Sequence, residues 1–137
     1  MSEDYAENLC PCDSSKSYVF CCKLLHDGLL KASTAEALMR SRYSAYVFKL
    51  RDYLLKTWHE DSRPKFLNFE KDLEWLSLEI IDRERGLEFD DEGYVEFKAF
   101  VKKAKKKSFM QERSYFKKID TKSGLSHSKI FQESIQT

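Results

Sequence analysis

The sequence predicts an α+β fold in which helices come first and an antiparallel sheet follows. Two observations predict it: between residues 33 and 58 apolar residues recur at helical spacing, and after Trp75 they alternate with polar residues. The chain has 137 residues, of which 42% are hydrophobic and 14% aromatic, so it can build one packed core. Only 4 glycines and 2 prolines are present, which argues against disorder and against repetitive fibrous folds.

The helices are predicted from capping signals and an apolar stripe. Ser33 and Glu36 have the spacing of a capping box, which predicts that the first helix begins there. The stripe that follows at helical spacing consists of Met39, Tyr43, Tyr46, Val47 and Leu50. Asp52 is the expected cap of a second helix. The segment from Phe66 to Leu73 is expected to form a further short helix or an irregular packed segment.

The strands are predicted from alternation, which is typical of a sheet with one buried face. The alternating segments are residues 76–80, 94–101 and 109–116. We expect turns around Gly86–Gly93 and Lys102–Lys107 to join them into a meander. A final stretch, Ser128–Gln132, is expected to add an edge strand.

All four cysteines lie close together near the start of the chain. They are Cys10, Cys12, Cys21 and Cys22. Disulfides within either pair would be strained, because a bridge requires a Cα separation of about 4.4–6.8 Å and suitably directed side chains. Four thiolates in one short loop suit a tetrahedral Zn²⁺ with no open position, so we expect one structural zinc ion. Crossed disulfides between the two pairs and buried free thiols are the alternatives.

The pattern Cys10-Pro11-Cys12, eight residues, then Cys21-Cys22 resembles the SEC-C zinc motif. Four further stretches follow in the order found in the YchJ-type family of bacterial SEC-C proteins: Leu38–Tyr46, Asp52–His59, Glu74–Leu76 and Glu112–Phe116. The resemblance implies a nuclear-transport-factor-2-like cone, in which a curved antiparallel sheet wraps around a long helix. It also implies that the cysteines form a small zinc knuckle.

Two domains are expected on this basis: a SEC-C-like zinc knuckle at 1–32 and an α+β domain, similar to nuclear transport factor 2, at 33–137. Asp13 stands where the motif commonly has glycine; since Asp tolerates positive φ, we expect the loop to survive. Some versions of the motif end with histidine, which makes His26 an alternative to Cys22 as fourth ligand. Otherwise we expect His26 to face solvent.

Protein recognition is the function that the resemblance implies for the knuckle. A closed four-sulfur site has no position for a substrate, so its role would be to order a rigid surface. The candidate surface residues are Lys16, Tyr18, Phe20 and Lys23. Packing of Tyr18 and Phe20 onto the main domain is the alternative interpretation. We therefore expect a zinc-binding recognition or adaptor protein with a protein partner.

A pocket in the cone is the alternative basis for function. Cone folds of this type host isomerases, hydratases and small-molecule receptors. The candidate pocket residues are Tyr43, Tyr46, Trp58, His59 and Arg113. Proton-transfer chemistry needs a buried base, but Glu96 and Glu112 each have an apolar neighbour on the strand phase expected to face the core. The sequence therefore favours a non-enzymatic function without deciding it.

Charge and hydropathy limit the partners. Lys+Arg number 24 and Asp+Glu 23, although residues 70–92 are acidic and residues 95–122 are basic. Opposite charges on neighbouring strands explain this division, and an anion-binding patch at Lys102–Lys107 is the alternative. Because the formal net charge is only +1 and no aromatic residues interleave with Lys102–Lys107, nucleic acid is not an expected partner. No apolar run reaches the roughly 18 residues of a membrane helix, so we expect a cytoplasmic protein. The sequence leaves open a homodimer formed through the sheet.

Overall fold

A computed structural model of the chain describes residues 8–123 and 126–134, with the side chains of 8–119 and 131–133. Within these ranges three helices precede four strands: α1 Cys22–His26, α2 Ala35–Val47, α3 Arg51–Lys56, β1 Leu73–Arg85, β2 Glu92–Lys103, β3 Lys106–Ser123 and β4 Ser126–Ser134. A 3-10 turn at Tyr18–Phe20 leads into α1. This order confirms the α+β class predicted from the sequence.

Helix α2 begins one residue later than the capping box predicts. Thr34 is the N-cap, and its Oγ1 accepts a hydrogen bond from the backbone N–H of Ala37 at 3.0 Å. Ser33 and Thr34 are adjacent hydroxyl residues with similar capping ability, so the sequence alone could not separate them. Glu36 still lies in the first turn, where a carboxylate interacts favourably with the helix dipole.

The short helix α3 is also capped differently from the prediction. Leu50 occupies the N-cap position, while the predicted cap Asp52 lies in the first turn. Residues 60–72 contain no helix, which confirms the irregular alternative for the segment around Phe66–Leu73. Within the described ranges, no helix combines the length and the apolar character needed to cross a bilayer.

The four strands form one antiparallel meander in the order β1-β2-β3-β4. Register shifts interrupt the pairing of β1 at two places, one after Trp75 and one after Ile80. Such irregularities bend a strand and increase its twist. Strand β4 confirms the predicted edge strand at 128–132 and extends it in both directions.

The β2–β3 hairpin turns through two residues, Ala104 and Lys105. Both have positive φ, 50° and 69°, which is the conformation that a two-residue type I′ turn requires. The turn predicted at Lys102–Lys107 is therefore confirmed.

The β1–β2 connection contains a close backbone approach. Gly86 has a φ of 74°, and a Cβ on Gly93 would lie 2.3 Å from the Gly86 Cα. The carbonyl of Gly86 accepts a hydrogen bond from the N–H of Ala35 at 2.8 Å. This bond seats the start of α2 on the end of the β1–β2 hairpin.

Helix α2 and one face of the sheet enclose the main core. Alternate residues of the strands meet the buried side of the helix, and the core comprises Ala35, Leu38, Met39, Tyr43, Leu78, Val95, Phe97, Ala99, Phe116 and Phe131. The segment after α3 closes this layer against β4. There the N–H of His59 donates to the carbonyl of Glu133 at 2.7 Å, and the N–H of Glu133 donates to the carbonyl of Thr57 at 3.0 Å.

Candidate metal centre and binding cavity

The four cysteines form a compact cluster. Their sulfur atoms all lie within 4.8 Å of one another. The Sγ of Cys21 is 3.6 Å from that of Cys12 and 4.0 Å from that of Cys22. A tetrahedral site with Zn–S bonds of about 2.3 Å has sulfurs about 3.8 Å apart, so these separations fit a metal ion. The group can therefore hold one metal ion with four sulfur ligands.

The loop between the cysteine pairs contains two residues in the left-handed backbone conformation. Asp13 and Ser15 adopt positive φ, 64° and 68°, and the N–H of Cys10 donates to the carbonyl of Lys16 at 2.8 Å. Asp13 therefore adopts a conformation that glycine adopts without strain. Its carboxylate also accepts a hydrogen bond from the N–H of Leu78 at 2.8 Å, which joins the loop to β1.

Helix α2 supports the cluster directly. The hydroxyl of Ser44 donates to the Sγ of Cys22 at 3.3 Å and lies 3.5 Å from the Sγ of Cys10. One turn earlier, Arg40 donates from Nη1 to the carbonyl of Cys12 at 2.5 Å. The cysteines are thus seated on the same helix that covers the sheet.

The sulfurs of Cys10, Cys12 and Cys22 hold their protons unequally. Hydrogen bonds from Cys12 and Cys22 stabilise a Cys10 thiolate and lower the pKa of Cys10 far below its usual value. The same interaction with Cys10 raises the pKa of Cys12 to about 11 and raises the pKa of Cys22 as well. Since a metal ion binds thiolates, metal binding by this cluster releases protons.

His26 lies outside the sulfur cluster. Its Nε2 donates to the carbonyl of Ser41 at 2.8 Å, and its Nδ1 lies 2.7 Å from the hydroxyl of Tyr18. Both ring nitrogens therefore have protein partners, so the alternative in which His26 replaces Cys22 is not supported. The expectation that His26 faces solvent is also wrong, because the ring is half-buried and burial lowers its pKa.

The four candidate surface residues of the knuckle differ in their contacts and in their exposure. The ring of Tyr18 packs against Phe48 at 4.7 Å, so this side chain joins the segment to the rest of the fold. Lys23 of α1 pairs with Asp27, the residue after the helix, at 2.7 Å. Lys16 and Phe20 are exposed, and Phe20 keeps 62% of its surface accessible.

A cavity of about 470 Å³ lies between α2, residues 68–75 and the inner faces of β2 and β3. Tyr43 and Tyr46 line it, together with Phe69, Trp75 and Phe97. The rings of Tyr43 and Tyr46 contact Trp75 with centroid distances of 5.7 and 5.5 Å. Two of the five predicted pocket residues therefore meet in one aromatic wall.

One end of this cavity is charged. Arg42 is 2% exposed, and its Nε donates to Oε1 of Glu133 at 2.8 Å. Its Nη1 donates to the carbonyl of Leu54 at 2.8 Å and to Oγ1 of Thr57 at 2.5 Å. Partial burial raises the pKa of Glu112, which also lines the cavity, and the nearby charge of Glu133 adds to this rise.

The other three predicted pocket residues lie elsewhere. The Cζ of Arg42 lies 5.2 Å from the centroid of the Trp58 ring, and Trp58 does not line the cavity. His59 is buried beside it, where its backbone pairs with β4. Both residues follow the end of α3 and turn toward β4, away from the aromatic wall.

Arg113 points away from the cavity because it has the opposite parity to Glu112 on β3. It pairs with Asp82, Glu84 and Glu96 at 3.0–3.2 Å on the outer face of the sheet. Glu112, the preceding residue on β3, lies on the inner face of the sheet, opposite Phe97 of β2. The apolar neighbours of Glu112 therefore did not reveal that its exposed carboxylate lines the cavity.

Sequence reasoning also missed Arg42 and Glu133 as cavity residues. They are 91 positions apart in the sequence, so no local pattern relates them. The signal for Glu112 was present but ambiguous, because both phases of residues 109–116 contain aromatic residues.

The fold also matches known proteins. A family model described as the YchJ middle domain, similar to nuclear transport factor 2, matches residues 34–123, from the N-cap of α2 to the end of β3. The chain belongs to the YchJ family. A UPF0225 protein of Streptomyces coelicolor is 43% identical over 111 residues, covering 81% of this chain and 86% of the relative. A UPF0225 protein of Chromobacterium violaceum is 43% identical over 122 residues, covering 87% and 90%.

Solved structures extend the YchJ-family match to the cysteine segment. A SEC-C motif containing protein from Psychrobacter arcticus aligns with a TM-score of 0.74 and 30% identity, covering 93% of this chain and 82% of that one. A SEC-C motif containing protein from Rhodopseudomonas palustris aligns with a TM-score of 0.71 and 28% identity, covering 93% and 98%. The family and the fold inferred from the motif resemblance are both confirmed.

Proposed function

We propose that this protein binds a small organic ligand in the cavity beside α2, and that its four cysteines hold one structural Zn²⁺. The observation that carries the ligand proposal is the cavity itself, about 470 Å³ with an aromatic wall and a charged end. Small-molecule sites are typically of this size, mostly apolar, with a few convergent polar groups.

The zinc ion has a structural role in this proposal. Four cysteine ligands complete a tetrahedral shell and leave no position for a substrate. Arg40 and Ser44 of α2 contact the cysteine cluster, while Tyr43 and Tyr46 of the same helix line the cavity. The metal would thus fix the helix that forms one wall of the binding site. Reduced cysteines suit a reducing compartment, so we place the protein in the cytoplasm.

Native mass spectrometry of protein purified without a chelator tests both parts. We expect the chain mass plus one zinc ion and a retained organic mass. Val47→Trp should displace the organic mass and keep the zinc, because Val47 lines the cavity and a larger side chain fills it. Val19→Trp is the matched control, since Val19 is 39% exposed and lies outside the cavity.

Each part of the proposal can fail separately. Chain plus zinc with no organic mass, in the parent and in both variants, would contradict ligand binding. A folded chain that carries no metal would contradict the zinc centre. An organic mass that survives Val47→Trp would place the ligand somewhere other than this cavity.

Protein recognition by the cysteine segment is the second candidate function, favoured by the exposure of Phe20 on the rigid 3-10 turn. The double variant Lys16→Ala, Phe20→Ala tests it, because both side chains are exposed. Loss of a captured protein partner with unchanged thermal stability would support this function. An unchanged set of partners would contradict it.

A further inference from the structure

The charges around the cavity do not cancel. Arg42 and Glu133 form an ion pair at 2.8 Å, and Glu70 pairs with Lys103 at 2.6 Å. The exposed side chain of Glu112 makes no hydrogen bond or ion pair within the described part of the chain. Glu74 and Glu112 then remain against one further lining cation, Lys49, so the cavity wall keeps a net negative charge.

Arg42 is not available to an incoming anion. Its guanidinium donates to Glu133, Leu54 and Thr57, and one of its faces lies on the Trp58 ring. An anionic ligand that paired with Arg42 would have to break these buried contacts, and Glu74 and Glu112 of the cavity wall would repel it.

The remaining wall is suited to a cation. Tyr43, Tyr46 and Trp75 form a continuous group of rings, and aromatic faces attract ammonium groups electrostatically. Glu112 lies opposite Phe97 on the neighbouring strand and interacts electrostatically with the Tyr46 hydroxyl. A carboxylate and several rings thus line the same space, while the apolar remainder can hold a hydrocarbon body.

We propose that the ligand of this cavity is an organic cation, an amine or ammonium compound with an apolar body, whose charged group binds between Glu112 and the aromatic wall. This inference rests on the proposed ligand-binding function and specifies the ligand class. A bound cation also offsets the partial burial and the repulsion from Glu133 that raise the pKa of Glu112.

Three probes with the same phenyl body and different ends test the ligand class: 2-phenylethylammonium, 2-phenylethanol and phenylacetate. Each is titrated into the full zinc-loaded chain and followed by isothermal calorimetry. We expect the ammonium probe to bind about tenfold more tightly than the alcohol, because both ring and carboxylate contacts favour the charge. Phenylacetate is expected to bind most weakly.

Glu112→Gln should abolish the preference for the ammonium probe over the alcohol. Because Glu112 makes no ion pair in the described structure, this variant is expected to fold normally, which its thermal transition checks. Glu96→Gln is the matched control: it removes one carboxylate from the opposite face of the sheet, where Glu96 pairs with Arg113 at 3.2 Å.

The possible results separate the two proposals. Equal or tighter binding of the alcohol or of phenylacetate would overturn the cation inference and leave ligand binding in place. An ammonium preference that survives Glu112→Gln would also overturn the inference. Failure of all three probes to bind would overturn both the cation inference and the proposed binding function.

Discussion

The buried apolar cluster of the sheet domain contains ten side chains contributed by α2 and all four strands. In the cysteine segment, residues 8–32, the corresponding cluster consists of Cys10, Cys12 and Cys22, with Tyr18 and Cys21 packed against it. A segment of this size cannot bury enough apolar surface to offset its loss of conformational entropy. We therefore infer that sulfur–metal bonds replace a core in the cysteine segment, while the sheet domain has an apolar core of its own.

Metal removal is the strongest way to test this difference. A chelator should abolish hydrogen-exchange protection in residues 8–26 and leave protection in β2 and β3 nearly unchanged. Apparent zinc-binding free energies of short cysteine-rich peptides reach about 10–16 kcal/mol, and this energy stabilises the ordered segment. Exchange measured by mass spectrometry, with and without chelator, reports both regions in one experiment.

Cys12→Ser should reproduce the chelator result without any added reagent, since Cys12 is fully buried and belongs to the sulfur cluster. Simultaneous loss of protection in both regions would show that they form one cooperative unit. In that case the division at residues 32 and 33 would be wrong.

The Asp13 contact is the next largest effect that we expect. Asp13→Ala removes the acceptor for the Leu78 N–H and puts Ala, which adopts positive φ less readily than Asp, at a φ of 64°. We expect it to weaken metal retention and to lower the free energy of unfolding by about 1–3 kcal/mol. Chelator competition and denaturant unfolding measure the two quantities.

Asp13→Asn is the matched control. Asn tolerates positive φ and keeps a side-chain oxygen for the Leu78 N–H. It should therefore retain most of the metal affinity and stability. Equal losses in the two variants would mean that the negative charge, and not the hydrogen bond, is what matters.

The smallest expected effect concerns His26. The carbonyl of Ser41 can only accept, so Nε2 carries the proton and Nδ1 accepts from the Tyr18 hydroxyl. Burial lowers the folded-state pKa of His26 below 6.5. The unfolded chain then binds more protons below pH 6.5, so this contribution to stability is present above pH 6.5 and is lost as the pH falls from there toward the folded pKa.

Tyr18→Phe tests that arrangement. It removes the donor to Nδ1, so the pKa of His26 should rise toward its usual value and stability at neutral pH should fall by about 1 kcal/mol. An NMR titration of the His26 ring measures the first effect, and denaturant unfolding at pH 6 and pH 8 measures the second. A His26 pKa that does not move would show that the hydroxyl has no influence on the ring.

Much of the fold was predictable because its signals are local. The alternation after Trp75, the lysine-rich turn and the spacing of the four cysteines each involve residues close together in the sequence. The errors also have local causes. Ser33 and Thr34 compete as adjacent caps, and both phases of β3 carry aromatic residues, so its inner face could not be assigned before the register was known.

The cavity was less predictable than the cysteine cluster. Tyr43 and Tyr46 lie on the predicted helix stripe and do reach it. The charged end of the cavity depends on long-range pairing of β4 with the residues after α3. This pairing positions Glu133 beside Arg42. Trp58, His59 and Arg113 were chosen by residue type, and only the three-dimensional path of the chain shows that they face other surroundings.

The ion pair between Arg42 and Glu133 also has a consequence for synthesis on the ribosome. The four cysteines span only residues 10–22, so they can close their loop while most of the sheet is still untranslated. Arg42 cannot form its ion pair until Glu133, 91 residues downstream, has been synthesised. The cysteine loop of the nascent chain can thus close well before β4 completes the charged end of the cavity. During that interval the aromatic wall of the cavity is exposed to chaperones.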